Sequence, residues 1–214
     1  MPDMPRDAGE IVVVHTSDLH LGTHGERDDL DVLRRVLTTA AQAAADALLL
    51  AGDIFDTNRL PITVIDSVAR LLADASLPVV VLTGNHDPAT ADSAYRKGGL
   101  ADPPNVHVLG VTCEDSVVLE HISLEICGTP HTDYVDMSPI STPSTRAARH
   151  QIVMAHGHFV RSAYDLHRSW LVHDADLEAT GADYVALGHW RSPSAWARAR
   201  WKRITPARRT APAA

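Results

Sequence analysis

The chain has 214 residues, of which 45% are apolar, so it is long enough for one domain with a full hydrophobic core and too short for two large ones. Its formal net charge is −8, but residues 191–214 hold seven of the 19 basic side chains and no acidic ones, which leaves residues 1–190 at −15. Such an acidic body repels nucleic acid unless metal ions or a partner supply positive charge where phosphate must sit.

The first part of the chain predicts alternating strands and helices. Residues 1–10 are polar, lack the apolar core of a signal peptide and are predicted to be disordered. Unbroken aliphatic runs then predict strands buried on both faces, and amphipathic segments between them predict helices. The strands are expected at 11–15, 47–51 and 79–82, and the helices at 28–46 and 61–75. This alternation predicts a parallel sheet covered by helices.

The pattern changes after residue 87. A weak helix is predicted at 95–101, and short apolar runs at 105–109, 116–119 and 122–127 predict antiparallel hairpins. An exposed loop at 129–145 precedes two further buried strands at 151–155 and 183–187. Only two cysteines are present and no apolar run approaches membrane-spanning length, so we expect a soluble, cytoplasmic protein.

Five of the predicted strands are followed at once by side chains that bind metals. These side chains are Asp18 and His20, Asp53, Asn85 and His86, His156 or His158, and His189. A single histidine or aspartate in a loop is usually a cap or a surface group, but open α/β sheets place their chemistry at the carboxyl ends of strands. Oxygen and imidazole ligands without cysteine suit manganese, iron(II) or zinc. The sequence therefore predicts a metal centre at these strand ends.

The charges of this predicted centre favour a phosphate as the substrate group. A carboxylate such as Asp53, between two groups of ligands, can bridge two ions about 3.5 to 4 Å apart. Two divalent ions together with Asp18 and Asp53 give a site of about +2, which attracts an anionic ester despite the acidic body.

The motifs in this order resemble those of the calcineurin-like metallophosphoesterases. The family pattern of D-x-H, G-D, G-N-H-D, a strand-terminal histidine and G-H is matched at Asp18–His20, Gly52–Asp53, Gly84–Asp87, His156 and Gly188–His189. The flanking segments 15–22 and 51–56 look most like the DNA-repair exonuclease branch, whose members repair double-strand breaks. The resemblance covers residues 11–190, which are therefore predicted to form the metallophosphoesterase domain.

The resemblance implies a fold and an activity. The implied fold is α/β (α+β), with two facing mixed β-sheets flanked by helices in a four-layer sandwich, and its C-terminal strands are expected to be missing here. The implied activity is hydrolysis of phosphomonoesters or phosphodiesters by two metal ions, often manganese. The repair-nuclease branch further implies DNA ends as substrate and an ATPase as partner.

The resemblance also implies roles for individual residues. Asp18 and His20 would hold the first ion, Asp53 would bridge, and the second ion would be held by Asn85, His156 and His189. His86 would be the catalytic histidine, which stabilises the transition state or protonates the leaving oxygen. Asp56 stands where it can orient His86. Of His156 and His158 the family pattern favours His156, and other histidines, among them His131, are predicted to be surface or structural.

One position departs from the family pattern. The last motif of the family ends in a second histidine that binds the first ion, and here that position is Arg191, whose guanidinium stays protonated and cannot bind a metal. Residues 191–214 form a basic tail rich in alanine, arginine and proline, without a strand-like run, and are predicted to be irregular. The tail is either a truncated or unrelated sequence, or a genuine segment that binds nucleic acid, and both interpretations stay open.

Three functions are compatible with the sequence. The first is a metal-dependent phosphodiesterase that acts on DNA ends. The second is a hydrolase of small phosphoesters or nucleotides, which needs no basic groove. The third is a weakly active or inactive homologue that has lost the chemistry of its first ion through Arg191.

Overall fold

The computed structural model describes residues 10–23, 26–141, 145–189 and 200–204 of the chain. The strands are β1 (Ile11–Thr16), β2 (Ala47–Ala51), β3 (Val79–Leu82), β4 (Val106–Val108), β5 (Ser116–Leu119), β6 (Leu124–Gly128), β7 (His150–His156), β8 (His158–Phe159), β9 (Leu171–Val172), β10 (Tyr184–Gly188) and β11 (Arg200–Ile204). The helices are α1 (Glu26–Gln42), α2 (Ile62–Ala73), α3 (Ala94–Lys97) and α4 (Asp174–Ala179). None of the helices in the described ranges is both long and apolar enough to cross a membrane.

The first sheet has the strand order β11-β1-β2-β3-β4. Strands β1 to β4 run parallel to their neighbours, and β11 runs antiparallel to β1. The residues of β2 and β3 are buried on both faces of this sheet, as their continuous aliphatic sequences predict. The predicted parallel sheet is therefore confirmed.

The second sheet has the order β10-β7-β6-β5, in which only β5 and β6 pair antiparallel. The prediction of antiparallel hairpins is thus right for these two strands and wrong for β4, which joins the first sheet parallel to β3. Val106 and Val108 of β4 are buried, so this strand satisfies its apolar residues by extending the first sheet. Strands β8 and β9 form a separate two-stranded ladder.

The two sheets pack face to face over a shared apolar core. Leu49 of β2 and Leu82 of β3 lie in one buried cluster with Ile126 and Met154 of the second sheet. The alternate residues of the first sheet, such as Leu50, point to the opposite side and pack against α1 and α2. Burial of each such side chain contributes about 1.5 to 3 kcal/mol. The prediction of two facing mixed sheets flanked by helices is confirmed.

Several short elements were not predicted. Strands β8 and β9 and helix α4 fall where the sequence predicts no regular structure. Strand β11 lies in the tail, so the predicted irregular conformation is wrong for residues 200–204; the rest of the tail, with Arg191, lies outside the described residues. Strand β11 pairs by backbone hydrogen bonds with β1, which would otherwise be an exposed edge, and such pairing needs no apolar periodicity. Apart from Glu10, the predicted disordered N-terminus also lies outside the described residues.

Candidate metal centre

All the predicted metal ligands lie where the carboxyl ends of strands from both sheets meet. Strands β1, β2 and β3 of the first sheet lead to Asp18, Asp53 and Asn85. Strands β7 and β10 of the second sheet lead to His156 and His189. Parallel strands in each sheet bring these ends to one side, and the face-to-face packing of the sheets brings the two sets together.

Two glycines allow the sheets to approach each other closely at this point. A Cβ atom at Gly52 would overlap the ring of His156, and one at Gly188 would overlap the carbonyl oxygen of Ala51. The space is used by His156, whose Nδ1 donates a hydrogen bond across the sheets to the carbonyl oxygen of Ala51 at 2.8 Å. This bond directs the Nε2 atom of His156 towards the first sheet.

Three possible ligand atoms converge on Nε2 of His156. Asp53 Oδ2 lies 3.2 Å from it, Asn85 Oδ1 lies 3.2 Å from it and His189 Nδ1 lies 3.3 Å from it. His156 is fully buried and Asp53 is 2% exposed. The three side chains that the resemblance implies for the second ion, Asn85, His156 and His189, therefore meet at one point with Asp53, the implied bridge.

A second group is formed by Asp18, His20 and Asp53, which each offer a ligand atom within 4.8 Å of the others. His20 Nδ1 donates to Asp56 Oδ1 at 3.1 Å, so its Nε2 faces Asp53 Oδ2 at 3.9 Å. A carboxylate on the far nitrogen of a histidine is the usual arrangement around metal-binding imidazoles. Asp53 belongs to this group and to the group around His156, so its carboxylate lies between the two.

His86 lies beside the group formed by Asp18, His20 and Asp53. Its backbone N–H donates to Asp53 Oδ1 at 2.9 Å, and its Nδ1 donates to the backbone carbonyl of Asp56 at 3.1 Å. The carboxylate of Asp56 is farther, at 3.7 Å, and bonds His20 instead. Asp56 thus contacts His86 through its backbone and His20 through its side chain, a division of contacts that the sequence did not indicate.

The charges within the site are strongly coupled. Burial lowers the pKa of the His156 imidazole, but the adjacent Asp53 carboxylate outweighs burial and raises that pKa to about 9. Burial raises the pKa of Asp53, but the His156 charge more than offsets this and holds it well below its usual value. Burial, aided by the His156 charge, lowers the pKa of His189 to about 3. His189 is therefore a neutral imidazole at pH 7, the form that binds metals.

The backbone is strained at four of the candidate ligands. Asp18, His20, Asp53 and His189 have φ angles of 54°, 47°, 51° and 83°. Residues other than glycine rarely adopt this left-handed backbone conformation, and each instance costs about 1 to 3 kcal/mol. Backbone hydrogen bonds from Asp18 to Gly52 and from His20 to Asp53 hold two of these strained turns against each other.

A buried carboxylate, Asp87, joins the loops after β2 and β3. Its oxygens accept hydrogen bonds from the backbone N–H groups of Phe55 at 2.9 Å and Gly84 at 2.8 Å, and from the hydroxyl of Tyr95 at 2.6 Å. Both Asp87 and Tyr95 are fully buried. Burial and the nearby Asp87 charge raise the pKa of Tyr95 well above its usual value, so the hydroxyl keeps its proton and donates.

Two residues that the sequence did not assign to the site, His131 and Trp170, also line it. His131 is fully buried, its Nε2 donates to the carbonyl of His156 at 2.8 Å, and its ring lies 5.4 Å from that of Trp170. The Trp170 ring lies 5.9 Å from the ring of His189. His131 follows β6 closely, so the rule of polar residues after strands could have found it. His158 pairs with Asp165 at 3.1 Å, outside the groups that could hold a metal ion.

The chemistry of these side chains fits divalent metal ions. The two groups supply carboxylate, imidazole and amide ligands, with no lysine or arginine among them. The buried Asp53 carboxylate is balanced by the His156 imidazolium, and a divalent ion could replace that proton as the neighbouring cation. Neither of the free cysteines, Cys113 and Cys127, belongs to these groups, which favours harder ions over zinc-thiolate sites.

Comparison with known proteins identifies relatives for most of the chain. A family profile described as calcineurin-like phosphoesterase matches residues 11–193. The DNA double-strand break repair protein Mre11 of Sulfolobus acidocaldarius is 25% identical over 194 residues, which cover 84% of this chain and 49% of the relative. One component of the nuclease SbcCD of Bacillus subtilis is 29% identical over 117 residues, 50% of this chain and 29% of the relative.

Other matches are shorter or concern the fold alone. Mre11 of Aeropyrum pernix is 39% identical over 85 residues, 35% of this chain and 20% of the relative. The chain thus spans about half or less of the length of the curated relatives it matches. A crystal structure with 15% identity superposes with a TM-score of 0.52 over 84% of each chain and supports the fold.

We expect Tyr95→Phe to lower the free energy of unfolding by about 1 to 3 kcal/mol, because it leaves the buried Asp87 carboxylate without one of its donors. Urea denaturation measures the change. Tyr134→Phe removes the same atom from a side chain that is 61% exposed and should have no measurable effect. Equal stability of the two variants would show that the Tyr95 hydroxyl does not hold Asp87.

Proposed function

The chain belongs to the calcineurin-like phosphoesterase family, and from this premise we propose that it is a metal-dependent phosphoesterase that hydrolyses phosphodiester bonds. The observation that supports this most directly is the position of Asp53. Its carboxylate is shared by the group with Asp18 and His20 and by the group with His156 and His189. A carboxylate that two ligand groups share is what a pair of metal ions requires.

The proposed centre holds two divalent ions, and manganese is the proposed metal, with iron(II) or zinc as alternatives. Asp18 and His20 would hold the first ion, and Asn85, His156 and His189 the second, with Asp53 between them. When bound, the ions supply positive charge that stabilises the phosphoryl oxygens of the substrate. Asp56 would orient His20, since its carboxylate accepts a hydrogen bond from the Nδ1 of His20.

His86 is the proposed catalytic residue. Its Nδ1 donates to the carbonyl of Asp56, so that the ring carries its proton on the side facing the protein and its Nε2 is available to the substrate. The side chain is 28% exposed, so a substrate can reach it. In the protonated state His86 can donate a hydrogen bond to the leaving oxygen and then transfer the proton to it.

The proposed substrate is DNA, acted on at its ends, with an ATPase as partner. The names of the curated relatives, which are double-strand break repair proteins and nuclease components, support this. The balance of −15 over residues 1–190 instead favours the second candidate, a hydrolase of small phosphoesters or nucleotides. The third candidate is a homologue with weak or no activity, because Arg191 stands where the family has a metal ligand. A cytoplasmic location remains a prediction from the sequence.

We expect Asp53→Asn to abolish manganese-dependent hydrolysis of bis(p-nitrophenyl) phosphate and to weaken the binding of both ions. Asparagine has nearly the same shape but lacks the charge that both ligand groups share. Metal content after dialysis and the hydrolysis rate measure the two effects. Asp102→Asn, an exposed aspartate that precedes β4, is the control. If Asp53→Asn hydrolyses the substrate as fast as the wild type in excess manganese, Asp53 does not bridge the two ions.

We expect His86→Ala to lower the turnover number by about 10² to 10⁴-fold, the usual contribution of a catalytic acid, while the metal content stays equal to that of the wild type. Steady-state kinetics and metal analysis on the same preparation separate the two properties. His121→Ala removes an exposed histidine between β5 and β6 and should change neither. Loss of an ion in the His86 variant would reassign this residue to metal binding, which its closeness to His20 and Asp56 allows.

We expect the wild type to bind one manganese ion tightly and a second weakly, because Arg191 stands where the family has a ligand of the first ion. Arg191→His should raise the number of tight sites from about one to about two and increase the rate. Calorimetric titration of manganese counts the sites, with Arg149→His as the control for added imidazole. Two tight ions in the wild type would show that Arg191 does no harm.

A further inference from the structure

The segment from His158 to Trp170, which we name the arm, begins and ends beside the candidate metal centre. Both of its ends are fixed by the short ladder of β8 and β9, in which His158 N–H donates to the carbonyl of Trp170 at 2.7 Å and Val160 N–H to that of Val172 at 2.9 Å. The ring of His158 lies 6.1 Å from the ring of His189, and that of Trp170 lies 5.9 Å from it. The base of the arm is therefore part of the wall of the metal centre.

The arm is held in one shape by Asp165. Asp165 Oδ1 accepts a hydrogen bond from His158 Nε2 at 3.1 Å, and Oδ2 accepts from the backbone N–H groups of Arg161 and Ser162, each at 2.9 Å. These bonds close the turn that contains residues 163–165. The negative charge of Asp165 is thus used inside the arm, and the shape of the arm depends on His158 at the metal centre.

This closed turn presents an aromatic ring to solvent. Tyr164 is 86% exposed. Burial of an aromatic ring is favourable, so such an exposed ring is available to stack on a ligand. The described residues include six exposed large apolar side chains, namely Val32, Ile62, Tyr134, Val135, Tyr164 and Leu166. Four of these six lie on the arm or on residues 134–135.

The arm and residues 134–136 are joined at Trp170. Its backbone N–H donates to Asp136 Oδ1 at 2.6 Å, and its Nε1 donates to the carbonyl of Val135 at 3.2 Å. Four of the six exposed apolar side chains therefore lie on two segments that meet at Trp170, whose ring is beside His189, whereas Val32 and Ile62 lie on the helices that cover the first sheet. Exposed apolar side chains on segments that adjoin a metal centre are candidates for binding a ligand.

The arm is also basic within an acidic body. It carries Arg161 and Arg168, both exposed, against one acidic residue, Asp165, whereas residues 1–190 as a whole have a balance of −15. Arginine side chains attract phosphate and stack on bases, and an exposed aromatic ring stacks on a base of any sequence. The arm combines both types of side chain beside a centre suited to a phosphate.

We propose that the arm recognises the nucleobase and the flanking phosphate of a single-stranded nucleic-acid segment, with Tyr164 stacking on the base and Arg168 contacting the phosphate. The proposal rests on the proposed function, because it names the substrate part that lies next to the phosphodiester at the metal centre. It makes Tyr164 the residue that favours phosphodiesters carrying a base over those without one, with no preference among the bases. It also explains how the body of the protein, with its balance of −15 over residues 1–190, can hold a nucleic-acid strand.

Binding of two fluorescent oligonucleotides tests the proposal. Both are six-nucleotide phosphorothioate strands, which resist hydrolysis, and one of them has abasic sites at its two terminal positions. Anisotropy titrations in manganese compare the wild type with Tyr164→Ala and Tyr164→Phe. Ile62→Ala is the control for loss of an exposed apolar side chain, and it lies on α2. The variant Tyr164→Phe keeps the ring and should restore binding.

Tyr164→Ala should weaken binding of the strand with bases by about 10-fold or more, the usual effect of losing one stacking contact. On the abasic strand the same variant should show a change of less than about 2-fold, since no base is present to stack. Arg168→Ala should weaken both strands and make the slope of log affinity against log salt less steep by about 0.7, the single-strand value for one phosphate. Arg34→Ala, on α1, is its matched control.

Each alternative outcome is distinct. The proposal would be overturned if Tyr164→Ala weakened binding of the two strands equally, or did not weaken binding of either. A change of oligomeric state in Tyr164→Ala by light scattering, without base-dependent binding, would instead assign the surface to a second copy of the chain. Hydrolysis of bis(p-nitrophenyl) phosphate by the wild type is measured separately. Its absence would refute the proposed function, while base-dependent binding lost in Tyr164→Ala would still support the arm.

Discussion

The contact between His156 and Asp53 is the interaction on which the rest of the site depends. It joins the carboxyl end of β7 in the second sheet to the loop after β2 in the first, at 3.2 Å, and both side chains are almost completely buried. Removing two charges from water costs several kcal/mol, and their mutual attraction barely repays it unless other groups bond them. Here Ala51, Asn85 and the His86 backbone supply those bonds. The site is thus a place where the fold tolerates charge that a metal ion can stabilise.

The loops around this contact are held by interactions that do not use the side chains of the candidate ligands. Backbone strain at Asp18, His20, Asp53 and His189 would relax if the loops were free. Hydrogen bonds between the loops after β1 and β2, and the buried Asp87 carboxylate between the loops after β2 and β3, prevent this relaxation. The second sheet contributes His131, which holds the carbonyl of His156. Stability of the core and geometry of the site are therefore maintained by the same bonds.

The distribution of charge explains how an acidic protein can act on an anionic ester. The body carries a balance of −15 and would repel a phosphodiester at long range. At the metal centre, cations would be held by carboxylates and imidazoles, and the adjacent arm adds the exposed Arg161 and Arg168. A phosphodiester would therefore meet positive charge at the site although the body as a whole is acidic.

The sequence by itself determined the strands of both sheets that lead to the site and the identity of the side chains that meet there. It could do so because buried parallel strands have continuous aliphatic sequences and because their ends lie at one edge, so Asp53 and His189 were predictable from position alone. Tertiary structure decided what depends on pairing and on distance. Strand β4 joined the first sheet, β11 paired with β1 through its backbone, and Asp56 bonded His20 with its carboxylate. His131 and the base of the arm came to the site because β6 and β10 both lie beside β7 in the second sheet, and no local pattern in the sequence records the order of strands in a sheet.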